Sequence, residues 1–189
     1  MASRGKTETE ILEKNLYSQL DRLIDQLKDI EESKDDMSDE EYTEQKQETL
    51  EQLKELNASV AKFKEGNLSL VDQMNAIQLA IQAAVSNAFQ TPEVIQMFAK
   101  KEKPQLHQRL ADLDERIKLG QVADMKSALR QKLEILYALQ KLGEKLTDDQ
   151  NHFLVSNSNT TMKEFEIASI NISTGLLNVA GNQIQEAKN

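Results

Sequence analysis

The chain has no cysteine and no tryptophan, and only two prolines and two histidines among its 189 residues. Without cysteine there is no disulfide frame, no thiolate nucleophile and no thiolate-held metal. Aromatic residues make up 4% and glycines number six, too little punctuation for a strand-rich fold. No apolar run approaches the roughly 20 residues that span a bilayer, and the opening MASRGKTETE lacks the apolar stretch of a signal peptide. These absences predict a soluble intracellular protein, in the cytoplasm with the nucleus as a second compartment. The sequons at Asn57, Asn67, Asn159 and Asn171 then read as chance matches. Basic residues are also scarce, 23 against 32 acidic ones, for a net charge of −9. Nucleic acid calls for clustered basic residues, and helices with acidic or mixed polar faces bind anionic lipid poorly. Neither nucleic acid nor membrane is expected as a partner.

What is present is a helix-forming vocabulary of Leu, Glu, Lys, Gln and Ala, with 39% apolar residues to build a core. The expected class is all-α. Charge is uneven: residues 1–66 hold 10 basic against 18 acidic side chains, and the rest 13 against 14. A basic groove on a protein partner would suit the acidic part.

Leu16, Leu20, Leu23, Leu27 and Ile30 recur at alternating intervals of three and four, the a and d positions of a heptad. A second seam runs through Tyr42, Thr49, Leu53, Leu56, Val60 and Phe63. Between them Ser38 and Glu41 have the spacing of a capping box, in which each side chain accepts from a backbone amide of the new helix. Each seam is shorter than a free-standing coiled coil needs, so an antiparallel hairpin, a short coiled coil within one monomer, is favoured over a leucine-zipper homodimer. Gly66 ends the second helix, and Ser69 with Asp72 is expected to cap a third, strongly apolar one carrying Met74, Ile77 and Ile81. Thr91-Pro92 opens a short helix through Phe98, and Pro104 opens another with Leu106, Leu110, Leu113 and Ile117 on one stripe, stopped by Gly120.

The stretch RQKLEILYALQKLGEKLTDDQNHFL then reads as a helix from about Asp124 to Leu142, a stop at Gly143, a cap at Thr147 with Gln150, and a helix whose apolar face begins Phe153-Leu154-Val155. A weaker helix follows through Met162, Phe165, Ala168 and Ile172, and the tail STGLLNVAGNQIQEAKN carries few charges. The expected division is an acidic hairpin over 1–66, middle helices over 67–120, and a C-terminal helical domain with tail over 121–189.

Chemistry is hard to find in this pattern. His107 and His152 are far apart in sequence, with no second histidine at ligand spacing from either, so no metal site is expected. The glycines are scattered, which excludes a phosphate-cradling loop, and the serines and threonines cluster at helix starts where capping explains them. No catalytic residue and no cofactor is expected, which leaves surfaces for other proteins.

The RQKLEILYALQKLGEKLTDDQNHFL stretch resembles the ICAT family of β-catenin-interacting inhibitors over about residues 125–170. The matching features are Gln131-Lys132, the aliphatic run to Leu142-Gly143, Leu146-Thr147, and Phe153-Leu154 after an acidic turn. Over nearly the full length, including QLAIQAAVSNAFQTPEVIQMFAKKE, the chain is similar to proteins that join a leucine-zipper region to an ICAT-homologous domain. The resemblance implies a three-helix ICAT-like domain that docks on a helical-repeat protein, with β-catenin the first candidate, and so modulates Wnt-type signalling. By position it puts Lys132 and Ile135 on the partner-facing side, although Ile135 reads equally well as core. Two features depart from the family: Ala128 stands where its helix carries a tyrosine, and the tail has no aromatic, no aspartate and a single glutamate, Glu186. The acidic, aromatic tail that makes ICAT a direct inhibitor is therefore not expected here. The reading that competes with an adaptor is a coiled-coil scaffold that does not bind β-catenin.

Overall fold

The computed structural model describes residues 2–170 and 172. The described residues form helices and no strand, as the composition predicts: α1 (Ala2–Glu32), α2 (Asp39–Gly66), α3 (Val71–Val85), α4 (Pro92–Ala99), α5 (Lys103–Lys118), α6 (Met125–Lys141), α7 (Asp148–Asn157) and α8 (160–170). The tail from Ser173 onward, and the expectations attached to it, lie outside the described residues.

α1 and α2 form the antiparallel hairpin. Ser38 accepts from the Glu41 amide at 3.2 Å while the Glu41 carboxylate accepts from the Ser38 amide at 3.0 Å, so both halves of the capping box are made. At the closed end, Glu31 accepts from the Tyr42 hydroxyl at 2.7 Å and from the Lys46 amine at 3.0 Å. At the open end, Thr9 reaches Asn67 at 3.4 Å. Leu16, Leu20, Leu23, Leu27 and Ile30 are buried on α1, and Leu53, Leu56 and Val60 on α2. Ile24, which the heptad reading passed over, is buried as well. The reason is that α1 packs on two neighbours, α2 and α4, so its apolar stripe is wider than a two-helix seam. Asp21 fastens the second contact, accepting from Lys100 and Gln96, and Lys28 pairs with Glu93 at 3.5 Å.

The middle helices belong to both sides. α3 packs on α2 and α4, and α4 also touches α1, α5 and α6. The core is continuous from Leu16 to Phe165. Ser69 does not cap α3. A 3-10 turn, Leu68–Leu70, intervenes, its Leu70 amide bonding back to Asn67, and α3 starts at Val71 without a side-chain cap. Gly143 takes φ +87°, its amide bonding to Gln140 and the Glu144 amide to Leu139, which satisfies the last carbonyls of α6. Lys101 ends α4 in the same way at φ +56°, a conformation that glycine adopts without strain and lysine does not.

Candidate partner-binding surface

α6 lies at the centre of the C-terminal part. Asp124 caps its start by accepting from the Lys126 amide, and residues Leu133 to Leu139 are buried without interruption. A helix buried around its whole circumference needs neighbours on every side, and α4, α5 and α7 provide them. The Thr147–Gln150 capping box opens α7, with reciprocal bonds of 3.2 and 3.0 Å. α8 closes the group, burying Met162 and Phe165, whose ring lies 5.7 Å from that of Phe89.

Lys132 emerges between α5 and α7. Its amine is 2.7 Å from Asp114 and 4.9 Å from the centre of the Phe153 ring, and 22% of its side chain is exposed. A cation held by a carboxylate and an aromatic face is fixed in direction while part of it stays accessible. Nearby, Arg109 donates to Gln131 at 3.3 Å. On the loop after α6, Glu144 receives His107 at 3.1 Å and Lys103 at 3.4 Å, and hydrogen bonding from His107, then Lys103, holds its carboxyl below the usual range. This carboxylate lies 37 residues from His107 in sequence and meets it only through folding.

Ile135 is placed differently from the partner-facing expectation. It is 0% exposed and part of the core, so the surface of this fold does not present it. One turn earlier on α6, Gln131 and Lys132 pair with Arg109 and Asp114 of α5, so this side of the helix faces α5 rather than solvent. Val155 also departs from expectation: it is 80% exposed, and only Leu154 of the Phe153-Leu154-Val155 run is fully buried. Ala128, the departure from the family pattern, is buried too.

Sequence reasoning missed Glu134. This carboxylate is 0% exposed and accepts from the Gln90 amide, the Thr91 amide at 3.0 Å and the Thr91 hydroxyl at 2.6 Å. Thr91 stands at the N-cap of α4 as Thr91-Pro92 implied, but its hydroxyl goes to Glu134 and not to the helix's own amides. Burial pushes the Glu134 carboxyl up, while the bonds from Thr91 and Gln90 and the charge of Arg130 pull it down, and burial prevails. The clue was present in the sequence: one carboxylate inside the run Leu133-Glu134-Ile135-Leu136.

Among the described residues no three His, Asp or Glu side chains gather as metal ligands, and no helix is long and apolar enough to cross a membrane. Exposed large apolar side chains do occur, and Leu119, Met125, Val155, Ile167 and Ile170 lie toward the C-terminal end of the chain. These features define an all-α protein whose helices leave several large apolar side chains exposed. The family model described as Beta-catenin-interacting protein ICAT matches residues 113–187, from the end of α5 through α6, α7 and α8 and beyond. The match bears out the ICAT-like resemblance of the C-terminal region. No solved structure matches the chain.

Proposed function

We propose that this protein is a non-catalytic interaction adaptor whose ICAT-like region docks on a helical-repeat partner, β-catenin being the first candidate, and so regulates Wnt-type signalling. The observation that carries this reading is the ICAT match over residues 113–187. Lys132 is the contact residue the reading retains, since part of its amine-bearing side chain remains open on the α5–α7 side. An acidic hairpin, net −8 over residues 1–66, adds long-range attraction toward the basic groove of such a partner. We place the protein in the cytoplasm and nucleus, where a partner of that kind would be met.

We read the hairpin as intramolecular and the protein as a monomer, because Leu16, Leu20, Leu23, Leu27, Ile30, Leu53, Leu56 and Val60 are all buried within one chain. That consumes the seam a scaffold dimer would use. Calorimetry with a purified armadillo domain tests the main reading. Binding that Lys132→Glu weakens supports it, and no heat at partner concentrations of about 100 μM removes β-catenin as a direct partner.

A further inference from the structure

The three tyrosines of the chain sit in different surroundings. Tyr137 is buried in the core with its hydroxyl against Ser158, and Tyr17 is half-buried on α1 behind Lys14-Asn15-Leu16. Tyr42 stands in the first turn of α2, directly behind Asp39-Glu40-Glu41. Its hydroxyl donates to Glu31 at 2.7 Å and accepts from Lys46 at 3.1 Å. The amines of Lys34 and Lys46 lie 4.9 and 5.4 Å from the centre of its ring. Lys46 and Glu31 keep 24% and 34% of their side chains exposed, so the cluster borders water. The Lys46–Glu31 pair at 3.0 Å is enough to tie α2 to α1, and the aromatic hydroxyl and the second lysine go beyond that need. Together they place an oxygen that can carry a phosphate beside two ammonium groups that can hold one through charge-assisted hydrogen bonds.

We propose that Tyr42 is a phosphorylation site for an acid-directed protein tyrosine kinase, guarded by the Ser38–Glu41 capping box, with Lys34 and Lys46 as the receivers of the phosphate. In the reaction the phenolic oxygen attacks the γ-phosphorus of ATP and an O–P bond forms. The bond from that phosphorus to the β–γ bridging oxygen breaks, ADP leaves, and the phenolic proton goes to the base of the kinase. The three acidic side chains before Tyr42 supply recognition, being complementary to a basic groove on the enzyme. A kinase takes its substrate extended, so the first turn of α2 has to open, and the capping box sets how often it does. The backbone already runs extended up to that turn, with Met37 at φ −112° and ψ 158° and Ser38 at φ −71° and ψ 156°. The finished ester has no proton to give Glu31 and carries about −1.5 to −2 charge near pH 7. The Glu31 carboxylate, which accepts from that same oxygen, is driven toward water, and Lys46 passes from it to the phosphate. Ser38 is flanked by the same acids, but its hydroxyl meets the Glu41 carboxylate at 3.2 Å, a neighbour that repels a phosphate. The site stands whether or not the docking reading above holds.

The test uses the full chain with magnesium ATP and a purified tyrosine kinase, chosen because it phosphorylates a free peptide of residues 33–47. Tandem mass spectrometry should place one phosphate on Tyr42, and Tyr42→Phe should take up none. A full chain that stays unmodified at Tyr42, or gains phosphate first on Tyr17 or Tyr137, overturns the site. Ser38→Ala removes the cap and should raise the rate of modification about fivefold, while an unchanged rate overturns the guard. The attached phosphate is then titrated by phosphorus NMR. Beside two ammonium groups its second ionisation should fall at a pH about half a unit below that in the phosphorylated Lys34→Gln, Lys46→Gln double variant. Equal titration in the two proteins overturns the lysines as receivers.

Discussion

Replacing Leu23 by glutamate separates the two uses to which the α1 leucines might be put. Leu23 is 2% exposed and packs among Leu20, Ile24 and Leu27 of α1 and the buried face of α2. Losing a buried leucine side chain costs about 2–5 kcal/mol. Seating a carboxylate there adds a further penalty of a few kcal/mol, through desolvation without a partner or protonation to avoid it. The combined loss, on the order of 5 kcal/mol, is comparable to the whole stability of many domains of about 5–15 kcal/mol. Urea unfolding followed by far-ultraviolet circular dichroism should show a much lower midpoint, or no folded baseline. Sedimentation equilibrium should report a monomer for wild type. Ile11→Glu, on the same helix but at a position 54% exposed, is the control and should shift stability by no more than about 0.5 kcal/mol. The reasoning is refuted if wild type is a dimer that Leu23→Glu converts to an equally stable monomer, because the leucine would then serve the interface between chains.

Other outcomes follow from local geometry. Lys101→Gly relieves a left-handed lysine at the end of α4 and should raise the melting temperature, by a stabilisation of roughly 0.5–1 kcal/mol. Ser38→Ala and Thr147→Ala each break a capping box on separate helices, and in chemical denaturation each should cost about 1 kcal/mol, with the double mutant near the sum. Burial alone would raise the Glu31 carboxyl, but hydrogen bonds from Tyr42 and Lys46, with the charges of Lys46 and Lys34, outweigh it and hold it below its usual value. Its contribution is thus present above the ordinary carboxylate range and fades as pH falls through the depressed value, so Glu31→Gln should flatten the acid side of a stability–pH profile. A Glu31→Gln profile that parallels wild type would remove that assignment.

How much of this was legible in advance depends on the distance over which each interaction acts. Hydrogen bonds at helix ends join residues three to five apart, so Ser38 with Glu41, Thr147 with Gln150, and the stops at Gly120 and Gly143 are written in neighbouring letters and stand in the fold as read. Apolar periodicity likewise marked the buried faces of α1, α2 and α5. It could not say how many neighbours each helix has: Ile24 is buried on a helix that packs against α4 as well as α2, and Ile135 on one that packs against α4, α5 and α7. The Ser69 cap failed where a 3-10 turn offered its neighbours a competing set of backbone bonds.

The sequence by itself determined the all-α class, the helix boundaries set by caps and glycines, the acidic hairpin and the ICAT-like character of the C-terminal region. Those properties reside in local hydrogen bonding, side-chain periodicity and residue order. Only the tertiary structure decided that Lys132 stays partly open while Ile135 is closed off, and that Glu134 finds its donors 43 and 44 residues away. The physical reason is that burial and pairing depend on which helices come to lie side by side, and sequence periodicity specifies a face without naming what covers it.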